Sequence, residues 1–328
     1  MTIRSILQTL FIAATLFYTF QSCMEAKAET AALSISNERE ALAKTYYQIP
    51  REGLFEDKVV MKEMRVRYRK YMIEMNKKVK ATGAKFVVMY LTAGVGQNES
   101  PLHAMGRTFL ETTCKELKID FVDVSCGLIG KDATEITYYP KDGHFSKAGA
   151  KLIEKELESI IPNYTNYHST ATYTERPKLF GDQAPLQDAI LDGGKELPYR
   201  LKTNTQGLRM NYDLAFPKTK QRMLFMGDSG FFFPFMDNKN IASIMLQEKF
   251  PNIEFVNSCN WGYAIDDHIT LFEQRAKYTE PDVVFMQTSG SDIIDMYFSN
   301  RNLLSRNPEA WLPSAAEKAF YERTFKSQ

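Results

Sequence analysis

RMLFMGDSG, residues 222–230, is an apolar run that stops abruptly on a glycine, an acid, a serine and a second glycine. Four consecutive apolar side chains suit a strand buried on both faces, and the change to small, turn-forming residues marks a strand-to-helix junction. A serine at such a junction exposes its hydroxyl and leaves its backbone N–H free to meet an oxyanion. The blander alternative is a helix N-cap, a role serine commonly fills.

Four other runs have similar length and β-branched or aromatic content: residues 84–91 (AKFVVMYL), 119–125 (IDFVDVS), 253–259 (IEFVNSC) and 282–288 (DVVFMQT). Helical stretches are read at 63–81, 102–117, 147–161, 240–250 and 268–278. Strand alternating with helix predicts a three-layer α/β/α domain on a five-stranded parallel sheet, flavodoxin-like in class. Residues 162–217 break the rhythm with Thr, Tyr, Pro and Gly, and turn signals fall at Gly181-Asp182 and Asp192-Gly193-Gly194. Several aromatic residues there suggest a long ordered connection. Neither flank is comfortable alone, because two strands make a poor sheet and three leave open edges. Residues 29–161, 162–217 and 218–328 are therefore read as one domain; two truncated domains in tandem are the rival.

Open α/β sheets bind ligands outside the carboxyl ends of their strands. The run 253–259 leads into Asn260-Trp261-Gly262-Tyr263, where Gly262 offers a second oxyanion N–H or a plain turn. The run 282–288 leads into Ser289-Gly290-Ser291-Asp292, where Ser291 is a third donor or a helix start. A serine nucleophile needs a base, and the base needs a carboxylate to fix its tautomer. Asp142 and His144 stand two apart on a turn before a helical stretch, and the chain has only four histidines. His103, His168 and His268 lack such a setting; His268 is assigned to an outer helix face. The reading is Ser229 as nucleophile, His144 as base and Asp142 as orienting acid, with the oxyanion held by Ser229, Gly262 and Ser291.

Together these blocks resemble the SGNH (GDSL-type) hydrolase superfamily over about residues 61 to 300. The matching stretches are MLFMGDS for the nucleophile, VNSCNWGY for the glycine, FMQTSGSD for the asparagine and YPKDGHFSKAGAKL for the histidine. In the ordinary family the histidine block comes last, whereas here it precedes the serine. That order, with Asp-x-His spacing, is similar to the alginate O-acetyltransferase branch, whose domain is circularly permuted. Three positions depart from the pattern. Ser291 stands where the family has its oxyanion asparagine, and losing one good donor can cost about 2.7–4 kcal/mol. Lys141 stands three before the histidine, so the acid must be Asp142. Phe145 replaces a tryptophan frequent in that branch.

The resemblance implies transfer of an acetyl group from an ester donor through an acyl-serine to a carbohydrate hydroxyl, with a membrane acyltransferase as a partner. An esterase using water as acceptor, and a non-catalytic glycan-binding or scaffold domain, are the alternatives.

Composition is compatible with this. The 328 residues carry 44% hydrophobic and 25% charged side chains, ordinary for a globular core. A net charge of +1 without a long basic run gives no footprint for nucleic acid. No C-x-x-C or H-E-x-x-H spacing supports a metal, and no cofactor is expected. Residues 1–28 pair Arg4 with an apolar stretch and an Ala26-Lys27-Ala28 cleavage motif, which reads as an export signal. Lipidation at Cys23 and an uncleaved anchor are the other readings, and all three place the chain in or facing the periplasm. Cys114, Cys126 and Cys259 are read as buried free thiols, with a Cys114–Cys126 bridge as the alternative.

Overall fold

The computed structural model describes residues 58–92, 100–192 and 194–298, within a compact unit Arg51–Ser299. The export signal and the cysteine at position 23 lie outside the described residues. Among the described residues, no helix is long and apolar enough to cross a membrane.

Seven strands form. Strands β1 (Lys85–Tyr90), β2 (Asp120–Asp123), β5 (Gln221–Met226), β6 (Ile253–Asn257) and β7 (Val283–Thr288) make one sheet in the order β2-β1-β7-β5-β6. Every pairing in it is parallel. Counted from β5, that order is 2-1-3-4-5, the flavodoxin-like arrangement. The sheet runs through both halves of the chain. Val284 of β7 faces Phe86 of β1 on one side and Leu224 of β5 on the other. β7 is buried along its whole length, which explains a run with no polar alternation before Gln287. Phe225 stacks between Phe285 at 5.3 Å and Phe255 at 6.1 Å, tying the three strands together on one face.

Helices cover both faces. Helix α1 (Lys58–Ala81) buries Val60, Met64, Tyr68, Met72, Met75 and Val79, a stripe at three- and four-residue spacing. Helix α2 (Pro101–Leu117) starts where Ser100 caps the His103 N–H at 3.3 Å, with Pro101 at the first helical position. Its C-cap Lys118 is left-handed, at φ 53°. After the short α3 (Ala133–Ile136), α4 (Lys147–Ile160) packs Ala150, Ile153 and Leu157 into the core. The remaining helices are α5 (Ser229–Phe232), α6 (Ala242–Lys249), α7 (Ile265–Gln274) and α8 (Asp292–Phe298).

The connection after α4 is held under the amino ends of the strands. Asp282 accepts from Ser169 N, Arg222 N and Lys218 Nζ at 2.7–2.8 Å, and Glu280 accepts from Tyr173 N and Arg176. The connection also contains an antiparallel hairpin, β3 (Asp188–Leu191) with β4 (Tyr199–Lys202), which the turn signal at residue 192 alone did not reveal. Cys114 and Cys259 are buried free thiols, whereas Cys126 is free and exposed, against expectation. A bridge between Cys114 and Cys126 is therefore not formed.

His268 overturns the outer-face assignment. It is 1% exposed on α7, neither ring nitrogen has a hydrogen-bond partner among the described residues, and burial pushes its pKa down from 6.5 to about 3. The unfolded chain therefore binds a proton there that the folded chain refuses between those two values. Stability contributed by the neutral ring is present above pH 6.5 and is lost as pH falls toward 3, at up to about 1.4 kcal/mol per unit. Urea unfolding across this range should show a shallower loss for His268→Leu than for the parent. Parallel curves would contradict it.

Candidate active site

The carboxyl end of the sheet gathers the residues singled out by sequence, and the serine turn sits beside the β5–β7 gap where strand order reverses. β5 ends at Met226, and Gly227 follows because nothing larger fits. A Cβ there would stand 2.5 Å from Gln287 Oε1 and 2.8 Å from Gln287 Cβ. Asp228 then caps α5, its Oδ1 accepting from Gly230 N at 2.6 Å. Its own N–H donates to Gln287 Oε1 at 2.9 Å. The cap is thus Asp228, and Ser229 is the first helical residue. Among the described residues, the Ser229 N–H has no hydrogen-bond partner.

The glycine block lies alongside. Past the last paired residues of β6, Ser258 N donates to Phe225 O and Asn260 N to Gly227 O, both at 2.9 Å. Asn260 Oδ1 then takes Trp261 N at 2.9 Å and Gln183 Nε2 at 2.6 Å. Gly262 has φ 63°, a conformation that favours glycine even though a Cβ would meet open space. Its N–H, like that of Ser229, has no partner among the described residues.

The histidine block is a tight loop. Thr137 bridges Phe145, Tyr138 N donates to His144 O at 3.0 Å, and Ser146 N to Ile136 O at 2.8 Å. Inside it, Asp142 Oδ1 accepts from His144 N at 2.8 Å and lies 2.5 Å from His144 Nδ1. Lys195 Nζ is 3.9 Å from the other carboxylate oxygen. Burial pushes the Asp142 carboxyl up, but the His144 backbone N–H, the His144 ring and Lys195 outweigh it, leaving the carboxyl below its usual range. An ionised Asp142 fixes the proton on Nδ1 and leaves Nε2 as the basic nitrogen.

This loop docks on the serine half through aromatic contacts. Tyr138 Oη donates to Phe235 O at 2.8 Å, and the Phe145 ring lies 6.2 Å from Phe233. The His144 ring is 6.0 Å from Phe235 and 5.8 Å from Trp261. Trp261 is itself 6.0 Å from Phe232, one turn after Ser229. Residues far apart in sequence thus share one wall. The Asp142–His144 pair is made; among the described residues no hydrogen bond joins His144 to Ser229.

Ser291 is differently engaged. Its hydroxyl donates to Asp295 Oδ2 at 2.8 Å and lies 2.9 Å from Ser289 Oγ, at the start of α8. Ser289 in turn donates to Asp292. Burial first, then the nearby Asp228 and Asp295, push the Asp292 carboxyl well above its usual range.

One contributor was invisible in the sequence. Arg209, fully buried in the connection, donates to the carbonyls of Phe232, Phe233 and Met236 and, at 3.1 Å, to Asn238 Oδ1. It clamps the loop after α5, where Phe233 and Phe235 hold positive φ of 55° and 60°. Burial lowers its pKa to about 10, so it stays charged at neutral pH. A lone arginine in a loop carries no motif, and the rings it meets, Tyr199 and Phe232, lie far from it in sequence.

The fold is similar to that of an O-acetyltransferase domain. The domain is that of Pseudomonas putida AlgJ, with 13% identity over 74% of this chain and 87% of that chain, at a TM-score of 0.46. Pseudomonas aeruginosa AlgX is 14% identical over 75% of this chain and 62% of its own, at 0.40. Bacillus cereus PatB1, solved with a sulfonyl adduct, is 11% identical over 70% and 88%, at 0.39. No protein-family model matches the chain, and no curated sequence does.

Proposed function

We propose that this chain is an exported serine O-acyltransferase that moves an acetyl group from an ester donor to a carbohydrate hydroxyl. The observation that supports it is the pair of unpartnered N–H groups, on Ser229 and Gly262, beside a His144 whose Nδ1 is held by Asp142. Two such donors can accept the charge that develops on an attacked carbonyl oxygen.

In this reading Ser229 Oγ attacks the ester carbonyl as His144 Nε2 takes its proton. The tetrahedral oxyanion collapses, the C–O bond to the leaving group breaks, and His144 returns the proton to that oxygen. An acceptor hydroxyl, deprotonated by the same nitrogen, then attacks the acyl-serine and restores Ser229. Trp261, 38% exposed beside His144, offers an aromatic face to a sugar ring. The openness of Gly262 and Trp261 to solvent also favours a second reading, in which water is the acceptor and the protein is an esterase. Ser291, engaged with Asp295, supports a third, a non-catalytic glycan-binding domain. A membrane acyltransferase supplying the donor, and a periplasmic location, belong to the first reading.

The test uses nitrophenyl acetate as donor. After an acid quench and digestion, mass spectrometry should find one acetyl group on the peptide carrying Ser229. With an oligosaccharide present, acetylated sugar should accumulate in place of free acetate. Acetylation elsewhere only, or none, would sink the proposal.

A further inference from the structure

We infer that Gln287 is a positioning residue of the acyl-transfer site, one that sorts the N–H groups of the serine turn so that only that of Ser229 is presented to substrate. The inference rests on the acyl-transfer reading above and deepens it.

The argument follows the three consecutive N–H groups of the turn. That of Asp228 is consumed by Gln287 Oε1 at 2.9 Å, and that of Gly230 by the Asp228 side chain at 2.6 Å. The middle one, on Ser229, is left without an acceptor. A backbone N–H can only be met by an acceptor, so the amide orientation of Gln287 is fixed with Oε1 toward Asp228. Its Nε2 must then face the other way, and it lies 3.2 Å from where a Cβ on Gly230 would stand. Gln287 therefore touches residues 227, 228 and 230, and is itself 1% exposed at the end of the central strand. Gly227 completes the arrangement, since any side chain there would occupy the amide's space. Ser291, which the sequence nominated for the polar donor of this strand end, points its hydroxyl at Asp295.

Such a residue acts on the transition state through the backbone and touches no substrate. Loss of its acceptor frees the Asp228 N–H and lets the turn shift, and a misplacement of about 1 Å can cost about 10²-fold in rate. Two variants read this. Gln287→Met should lower kcat for nitrophenyl acetate by about 10²-fold with little change in KM. Gln287→Glu keeps an acceptor toward Asp228 but places a titratable carboxyl under the turn. Protonated, it should support turnover; ionised, its charge opposes the oxyanion, so its activity relative to the parent should fall as pH rises. A purely structural role gives no such pH-dependent ratio. If Gln287→Met does not fold, Gln287→Glu alone decides. A pH-independent ratio for that variant, with Ser229→Ala inactive, would overturn the role of Gln287 and leave the acyl-transfer reading intact. Full activity of Ser229→Ala would instead remove the reading beneath it.

Discussion

Ser229→Ala is expected to lower kcat for nitrophenyl acetate by about 10⁶-fold, the scale on which triad enzymes respond to loss of the nucleophile. The structure makes this substitution unusually clean. The helix cap is Asp228, whose Oδ1 holds the Gly230 N–H, so removing the serine hydroxyl leaves the turn's own hydrogen bonds in place. Two candidate oxyanion donors are backbone groups, on Ser229 and Gly262, and an alanine at 229 still carries one of them. The thermal midpoint should therefore match the parent's while nitrophenol release stops. A retained rate would exclude Ser229 as nucleophile. A lost rate with a lowered midpoint would point to unfolding.

Asp142→Asn comes second, with an expected loss of about 10⁴-fold in kcat. The carboxylate accepts twice from His144, from its backbone N–H at 2.8 Å and on the ring side at 2.5 Å. An amide can turn its NH₂ toward the ring and demand the other tautomer, which puts the proton on the nitrogen that must act as base. It also loses the negative charge that stabilises the imidazolium formed during attack. Because the Asp142 carboxyl lies below its usual range, the parent keeps that charge across neutral pH. Single-turnover acetylation of Ser229 should slow as much as steady-state kcat does. Unchanged acetylation would show that Asp142 does not orient the base.

Much of the fold was legible because its strands are buried on both faces. Runs such as VVFMQT and RMLFM cannot be amphipathic surface elements, and their ends shift by no more than two residues in the structure. The β3–β4 hairpin was not legible. All four residues of β3 are exposed, Ile190 to 77%, so it has no apolar alternation to read. Ser229 and Gly262 could be nominated because each follows the end of a buried run, and His144 because a scarce histidine stands beside an acid before a helix. Arg209 and Gln287 could not, since their importance lies in which backbone groups they satisfy, and a sequence does not display its backbone. His268 was misplaced: assigned to an outer helix face, it is interior, with Asp267 at 0% and His268 at 1% exposure.

β7 is the middle strand of the sheet and, among the described residues, the last of the seven strands in sequence. In chain order, β1, β2, β5 and β6 all precede the strand that joins the two pairs. Lys85 must wait for Val283, nearly the whole length of the described chain, before its neighbour arrives. Such separation between partners makes folding slow and leaves apolar edges open to other chains in the interval. A protein built this way completes its sheet only once the strand that joins its two halves is in place.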